Sequence, residues 1–89
     1  MNEDRLPVAS LRNLGPKSAL ILAQAGIRTI AELRLLGAAK AYKRAKAFAP
    51  RSVSLSLLWA IAAGLEGRDW RELDAQEKAS LLAQIRLLG

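Results

Sequence analysis

The chain has 89 residues, a net charge of +6, and neither cysteine nor histidine. Its length suits one domain built around a single core. The composition excludes disulfides, thiolate or imidazole metal sites, cysteine nucleophiles and a histidine general base.

Hydrophobic residues make up 52% of the chain, with only 3 Pro and 6 Gly. A core is therefore within reach, and disorder is expected only in an amino-terminal tail, residues 1–6, ahead of a single helical domain at 7–89. The charge is unevenly placed. Residues 5–51 hold ten basic side chains against one acid, Glu32, whereas residues 52–89 hold four basic and five acidic ones. A concentrated positive half points to a polyanionic partner, nucleic acid first, although an excess of Lys and Arg also serves solubility. The longest uncharged run, Ser52–Leu65, falls short of the about 20 apolar residues of a bilayer span, so it reads as a core helix and no membrane partner is expected. The acidic start, Met-Asn-Glu-Asp, is no secretory leader, and a cysteine-free chain suits the cytoplasm.

No segment alternates with period two, and five helices can be placed. Val8–Leu14 is expected as a lead-in of one or two helical turns, broken at Gly15. Pro16 suits a first helical position, and the helix it opens runs to Ala25 with Gly26 as its left-handed end. Thr29 and Glu32 form a capping box, opening a helix that stops at Leu36, before Gly37. Ala38–Phe48 is the third helix. Ala38, Ala41, Tyr42, Ala45 and Phe48 share its apolar arc, and Lys40, Lys43 and Arg44 lie opposite with Lys46 beside them. Ser54 caps a helix over Leu55–Glu66 that is apolar nearly all round, which marks it as the central core helix. Gly67 ends it, and Asp69–Glu72 is a turn with Trp70 expected as an anchor into the core. Asp74 and Glu77 form a second capping box, opening a last helix whose Leu81, Leu82, Ile85 and Leu88 are expected to pack antiparallel on the central helix. The expected fold is thus all-α, a compact bundle of about five helices with a helix-hairpin-helix-like amino-terminal half.

The segment carrying a functional signal is Asn13-Leu14-Gly15-Pro16-Lys17-Ser18-Ala19. It resembles the hairpin of helix-hairpin-helix DNA-binding modules, in which a Gly-apolar-Gly turn brings backbone amides and a helix N-terminus to a phosphate. Leu14, Gly15, Lys17 and Ala19 match the pattern. Asn13 stands where the first glycine would be, and asparagine tolerates left-handed backbone better than most residues. The same turn also suits a hairpin that only packs the core. Leu36-Gly37-Ala38-Ala39-Lys40-Ala41 echoes Leu14–Ala19 as a second Leu-Gly helix start. The candidate nucleic-acid contacts are Gly15, Lys17 and Ser18 at the hairpin, with Lys40, Lys43, Arg44 and Lys46 along the third helix; a merely solvated face is the alternative for the latter. Such contacts predict weak, phosphate-directed, salt-sensitive binding. The aromatic residues look like core, so base stacking is not expected. Asp69, Glu72, Asp74 and Glu77 lie near helix starts, where capping accounts for them. No catalytic, cofactor or metal-ligand pattern occurs, and the protein is expected to be no enzyme and to need no cofactor.

The strings Leu11–Ser18, Ala25–Arg34, Leu36-Gly37-Ala38 with Ala41-Tyr42, Ser54–Ala60 and Asp69–Leu73 together resemble the carboxy-terminal domain of the TfoX/Sxy family, from about Pro7 to Leu88. The resemblance implies a helical fold of helix-hairpin-helix character. It also implies a bacterial regulator of natural competence acting with transcription machinery on DNA-uptake genes. Many members carry an amino-terminal domain with no counterpart in this sequence, so a free-standing version or an excised piece is expected. Two readings follow. One is a regulatory module associated with nucleic acid. The other is a protein-interaction module that docks on a component of the transcription machinery or on a second copy of itself.

Overall fold

The computed structural model describes residues 3–89. Among them the chain forms five α-helices: α1 (Pro16–Gln24), α2 (Ile30–Leu36), α3 (Ala38–Phe48), α4 (Leu55–Leu65) and α5 (Ala75–Leu88), with single 3₁₀ turns at Glu3–Arg5, Val8–Ser10 and Trp70–Glu72. The boundaries follow from local chemistry. Thr29, Ser54 and Asp74 each place a side-chain oxygen on an amide of the first turn of α2, α4 and α5, and Glu32 and Glu77 return to the cap amides of Thr29 and Asp74. Gly26 and Gly67 take φ of +93° and +69°. Each lets the chain close the helix before it: Ile27 N–H reaches Leu22 O at 2.8 Å, and Arg68 N–H reaches Ala63 O at 2.9 Å.

Leu22, Ile27, Ile30, Leu33, Leu58 and Ile61 form the centre of one core and are essentially sealed from water. The hub of the packing is α3, which lies against α1, α2, α4 and α5. Its buried seam is Ala39, Ala41, Tyr42 and Ala45; short side chains there let several helices approach one rod. Gly64 on α4 faces the chain ahead of α1 so closely that a Cβ would run into the Arg12 carbonyl oxygen.

The packing departs from the sequence expectations in three places. The α5 backbone lies closest to α3, not to α4, and none of its side chains is fully buried. Leu81, Leu82 and Ile85 are partly buried against the core, and the Lys78 ammonium stands 5.4 Å from the ring centroid of Trp59 on α4. Phe48, expected on the buried arc, is half exposed; it is the last residue of α3, where the chain already turns towards Pro50. Trp70 is 44% exposed and is no core anchor, because the residue its turn buries is Leu73. The lead-in at Val8–Leu14 holds one 3₁₀ turn, Val8–Ser10, as the sequence leads one to expect. In the segment expected as a tail, Met1 and Asn2 lie outside the described residues, while Glu3–Arg5 form a 3₁₀ turn against α2. Asp4 pairs with Arg34 at 3.1 Å, and Leu6 O accepts from Ile30 N–H at 3.0 Å. The resulting fold is all-α, and no helix among the described residues is long and apolar enough to cross a membrane.

Candidate nucleic-acid interface

The hairpin turn is built on Asn13, the only non-glycine among the described residues at positive φ, +77°. Its side chain is used as fully as its backbone. Nδ2 donates to Arg68 O at 2.8 Å and Ala60 O at 3.4 Å, and Oδ1 accepts from Trp70 N–H at 3.3 Å. The residue that replaces a glycine therefore ties the hairpin to the end of α4 and to the turn after it, which a glycine could not do. Leu14 is buried beneath the turn. Gly15 is extended, φ −89° and ψ 174°, a conformation open to any residue, so the left-handed bend belongs to Asn13.

From Gly15 the chain enters α1 without a side-chain cap. The Leu14 amide is tied to Leu11 O, and the first amide returned to the helix is that of Ala19, to Gly15 O at 3.0 Å. The amides of Gly15, Lys17 and Ser18 are thus the orphan donors of this helix start. Lys17 is exposed and Ser18 half-buried. The echo at Leu36–Ala41 has the same physics: α3 also begins at a Leu-Gly pair with no side-chain cap, here with Gly37 at φ +82°, and with Lys40 in its first turn. These are the two uncapped starts among the five α-helices described.

On α3, Lys40 and Arg44 are exposed and Lys43 is half-buried. Lys40 and Arg44 are one turn apart, about 6 Å along the axis. Lys46 separates from them: its Nζ donates to Pro50 O at 2.9 Å and Val53 O at 2.6 Å, closing the α3 terminus onto the loop before α4. The seven candidate residues do not share one pocket. Ser18 lines a cleft with Ser52, Val53 and Trp70 near the end of α3, while Lys40 lines a groove with Gln84, Leu87 and Leu88 at its start. Ser18 of the hairpin and Lys40 of α3 thus stand at different clefts.

The acidic side chains are engaged elsewhere. Arg68 pairs with Glu66, Glu72 and Glu77, Arg71 and Arg12 pair with Asp69, and Arg34 pairs with Asp4. The Arg68 guanidinium and the Asp74 amide hold the Glu77 carboxyl down at about 2. The Arg71 side chain and amide hold Asp69 at about 2. The amides of Arg28 and Thr29 keep Glu32 below the usual carboxylate range, as its capping role requires. Among the described residues, Lys17, Lys40, Lys43 and Arg44 have no carboxylate in ion-pair contact, so their field is not cancelled locally. No group of three or more Asp or Glu among those residues is placed to hold a metal ion.

Trp70 was missed as a surface residue by sequence reasoning, and so was the cleft beside it. The periodicity that marks buried faces does not operate in a three-residue turn, and the cleft joins segments as far apart as Asn13 and Trp70.

Comparison with known proteins identifies the family and the fold. The family model described as the TfoX C-terminal domain matches residues 3–85. A crystal structure of an uncharacterized protein from Listeria monocytogenes superposes with a TM-score of 0.80 at 30% identity, over 92% of each chain. A second Listeria monocytogenes structure, of a protein of unknown function, gives a TM-score of 0.78 at 31% identity, over 91% of this chain and 99% of that one. No curated protein matches the sequence.

Proposed function

This chain belongs to the TfoX C-terminal domain family, and on that footing we propose that it is a non-enzymatic regulatory module that rests on the phosphate backbone of nucleic acid in competence-type control of transcription. The observation that supports this is the separation of charge. The carboxylates of residues 66–77 are engaged with Arg12, Arg68 and Arg71 or cap helices, which leaves Lys17, Lys40, Lys43 and Arg44 uncompensated. Lys17 and Lys40 each stand in the first turn of an uncapped helix, where amide donors and the helix dipole add to the cation. Contacts of this kind position a protein on a strand without reading its sequence.

The test is a titration of fluorescently labelled duplex DNA at 50 and 200 mM salt. With about four phosphates engaged, log K falls on log salt with a slope near −3.6, roughly a hundredfold across that range. Lys40→Glu/Lys43→Glu/Arg44→Glu abolishes the binding at low salt. Binding insensitive to salt, or kept by the triple variant, refutes the reading. A protein-interaction or self-association role is the second reading. It is favoured by the bare leucines Leu35 and Leu87, exposed to 89% and 88%, of which Leu87 lines a groove with Leu36 and Leu88. Sedimentation of the wild type against Leu35→Ser/Leu87→Ser detects self-association through these residues.

A further inference from the structure

The phosphate-backbone reading leaves Trp70 without a role. The residue is 44% exposed, and burial of an indole would have been among the larger apolar gains open to the fold. The ring flanks a cleft of about 290 Å³ between the first turns of α1 and α4, close to the lower bound of about 300 Å³ for small-ligand sites. Apolar Ile21 and Leu57 line it together with Ser18, Ser52 and Ser54. Ser54 Oγ accepts from Ser56 N–H, and none of the three hydroxyls donates to a protein acceptor among the described residues. Lys17 immediately precedes Ser18 and Arg51 immediately precedes Ser52. Both cations are exposed, and neither meets a carboxylate among the described residues. Asn13 fixes the aromatic wall by accepting the Trp70 backbone N–H.

We propose that this cleft takes one unpaired nucleobase of a single strand. The base lies with its face on the Trp70 indole and its polar edge on the serine hydroxyls, and the phosphates on either side of it lie at Lys17 and Arg51. An aromatic ring beside apolar lining fits a planar heterocycle. Hydroxyls both donate and accept, so they satisfy the mixed edge of any base, and binding is sequence-tolerant. A duplex keeps its base faces stacked inside and presents none to the indole. The inference rests on the nucleic-acid reading above and adds to it a preference for single strands.

Anisotropy titrations with a fluorescein-labelled oligo-dT of about a dozen nucleotides, and with a duplex of the same length, test it at 50 mM salt. Trp70→Ala weakens oligo-dT binding about fivefold or more while duplex binding changes less than about twofold, and Trp70→Phe, which keeps a ring, restores most of the loss. Unlabelled oligo-dT quenches the indole emission of the wild type and of Trp59→Phe but not that of Trp70→Ala. The side chain is exposed, and unchanged thermal melts confirm that its variants fold. Oligo-dT binding unaltered in Trp70→Ala, or weakened equally with duplex binding, overturns the base site. The phosphate-backbone reading then stands as long as duplex binding remains salt-sensitive. Failure of the wild type to bind either oligonucleotide refutes both.

Discussion

Replacing Asn13 separates two reasons for its presence. If only its left-handed backbone matters, Asn13→Gly is neutral or stabilising, because glycine adopts φ of +77° freely. The structure gives the side chain its own work, with contacts to Arg68 O at 2.8 Å and Trp70 N–H at 3.3 Å and a longer one to Ala60 O at 3.4 Å. Two such bonds contribute about 0.5–1.5 kcal/mol each, so Asn13→Gly costs about 2 kcal/mol once the added flexibility of the unfolded chain is included. Asn13→Ala loses the same bonds and adds about 1–2 kcal/mol for left-handed backbone at a Cβ-bearing residue; it is the more damaging of the two. For a domain of this size 1 kcal/mol moves Tm by about 4–8 °C, so the glycine variant melts about 8–16 °C below the wild type by calorimetry or circular dichroism. The substitution moves the sequence towards the glycine pattern of the hairpin motif and is nonetheless destabilising. An Asn13→Gly protein as stable as the wild type would refute the clamp.

Gly64→Ala gains about 1 kcal/mol of helix propensity but drives a Cβ into the Arg12 carbonyl oxygen, with Leu11 Cγ and Cδ2 only 3.1 Å away; overpacking against backbone costs about 1–3 kcal/mol, so Tm falls, and a rise would show that the two segments are further apart than described. The carboxyls of Glu77 and Asp69 titrate at about 2 in the folded chain, below their usual range; their stabilisation is therefore complete above about pH 5 and lost as pH falls towards 2, and Arg68→Met flattens that part of a Tm-versus-pH curve. Lys46→Met removes the donor to Pro50 O and Val53 O and lowers stability by about 1 kcal/mol with no change in duplex affinity, whereas Lys40→Met weakens duplex binding with no change in Tm, a contrast read by melting and anisotropy on the same samples.

The helices were legible because their signals are local. Gly26 and Gly67 stop α1 and α4, and Thr29 with Glu32, Ser54, and Asp74 with Glu77 open α2, α4 and α5; each depends on atoms within five residues, which spacing along the chain displays. The left-handed bend at Asn13 was legible for the same reason. The cations of the candidate interface could be counted in the sequence, but their availability could not. Lys46 and Arg44 differ by two positions, yet one closes a loop seven residues further on and the other faces solvent.

What the amino-acid order settled alone was the all-α class, the ends of the helices and the asymmetry of charge, because capping, backbone preference and net charge need no knowledge of distant neighbours. Only the tertiary structure decided that α5 lies on α3, that Leu73 is buried in place of Trp70, and that Asn13 reaches across 55 residues to Arg68. Those outcomes depend on which surfaces meet when several helices compete for the same apolar contacts, and a residue's own periodicity does not carry the shape of its eventual partner.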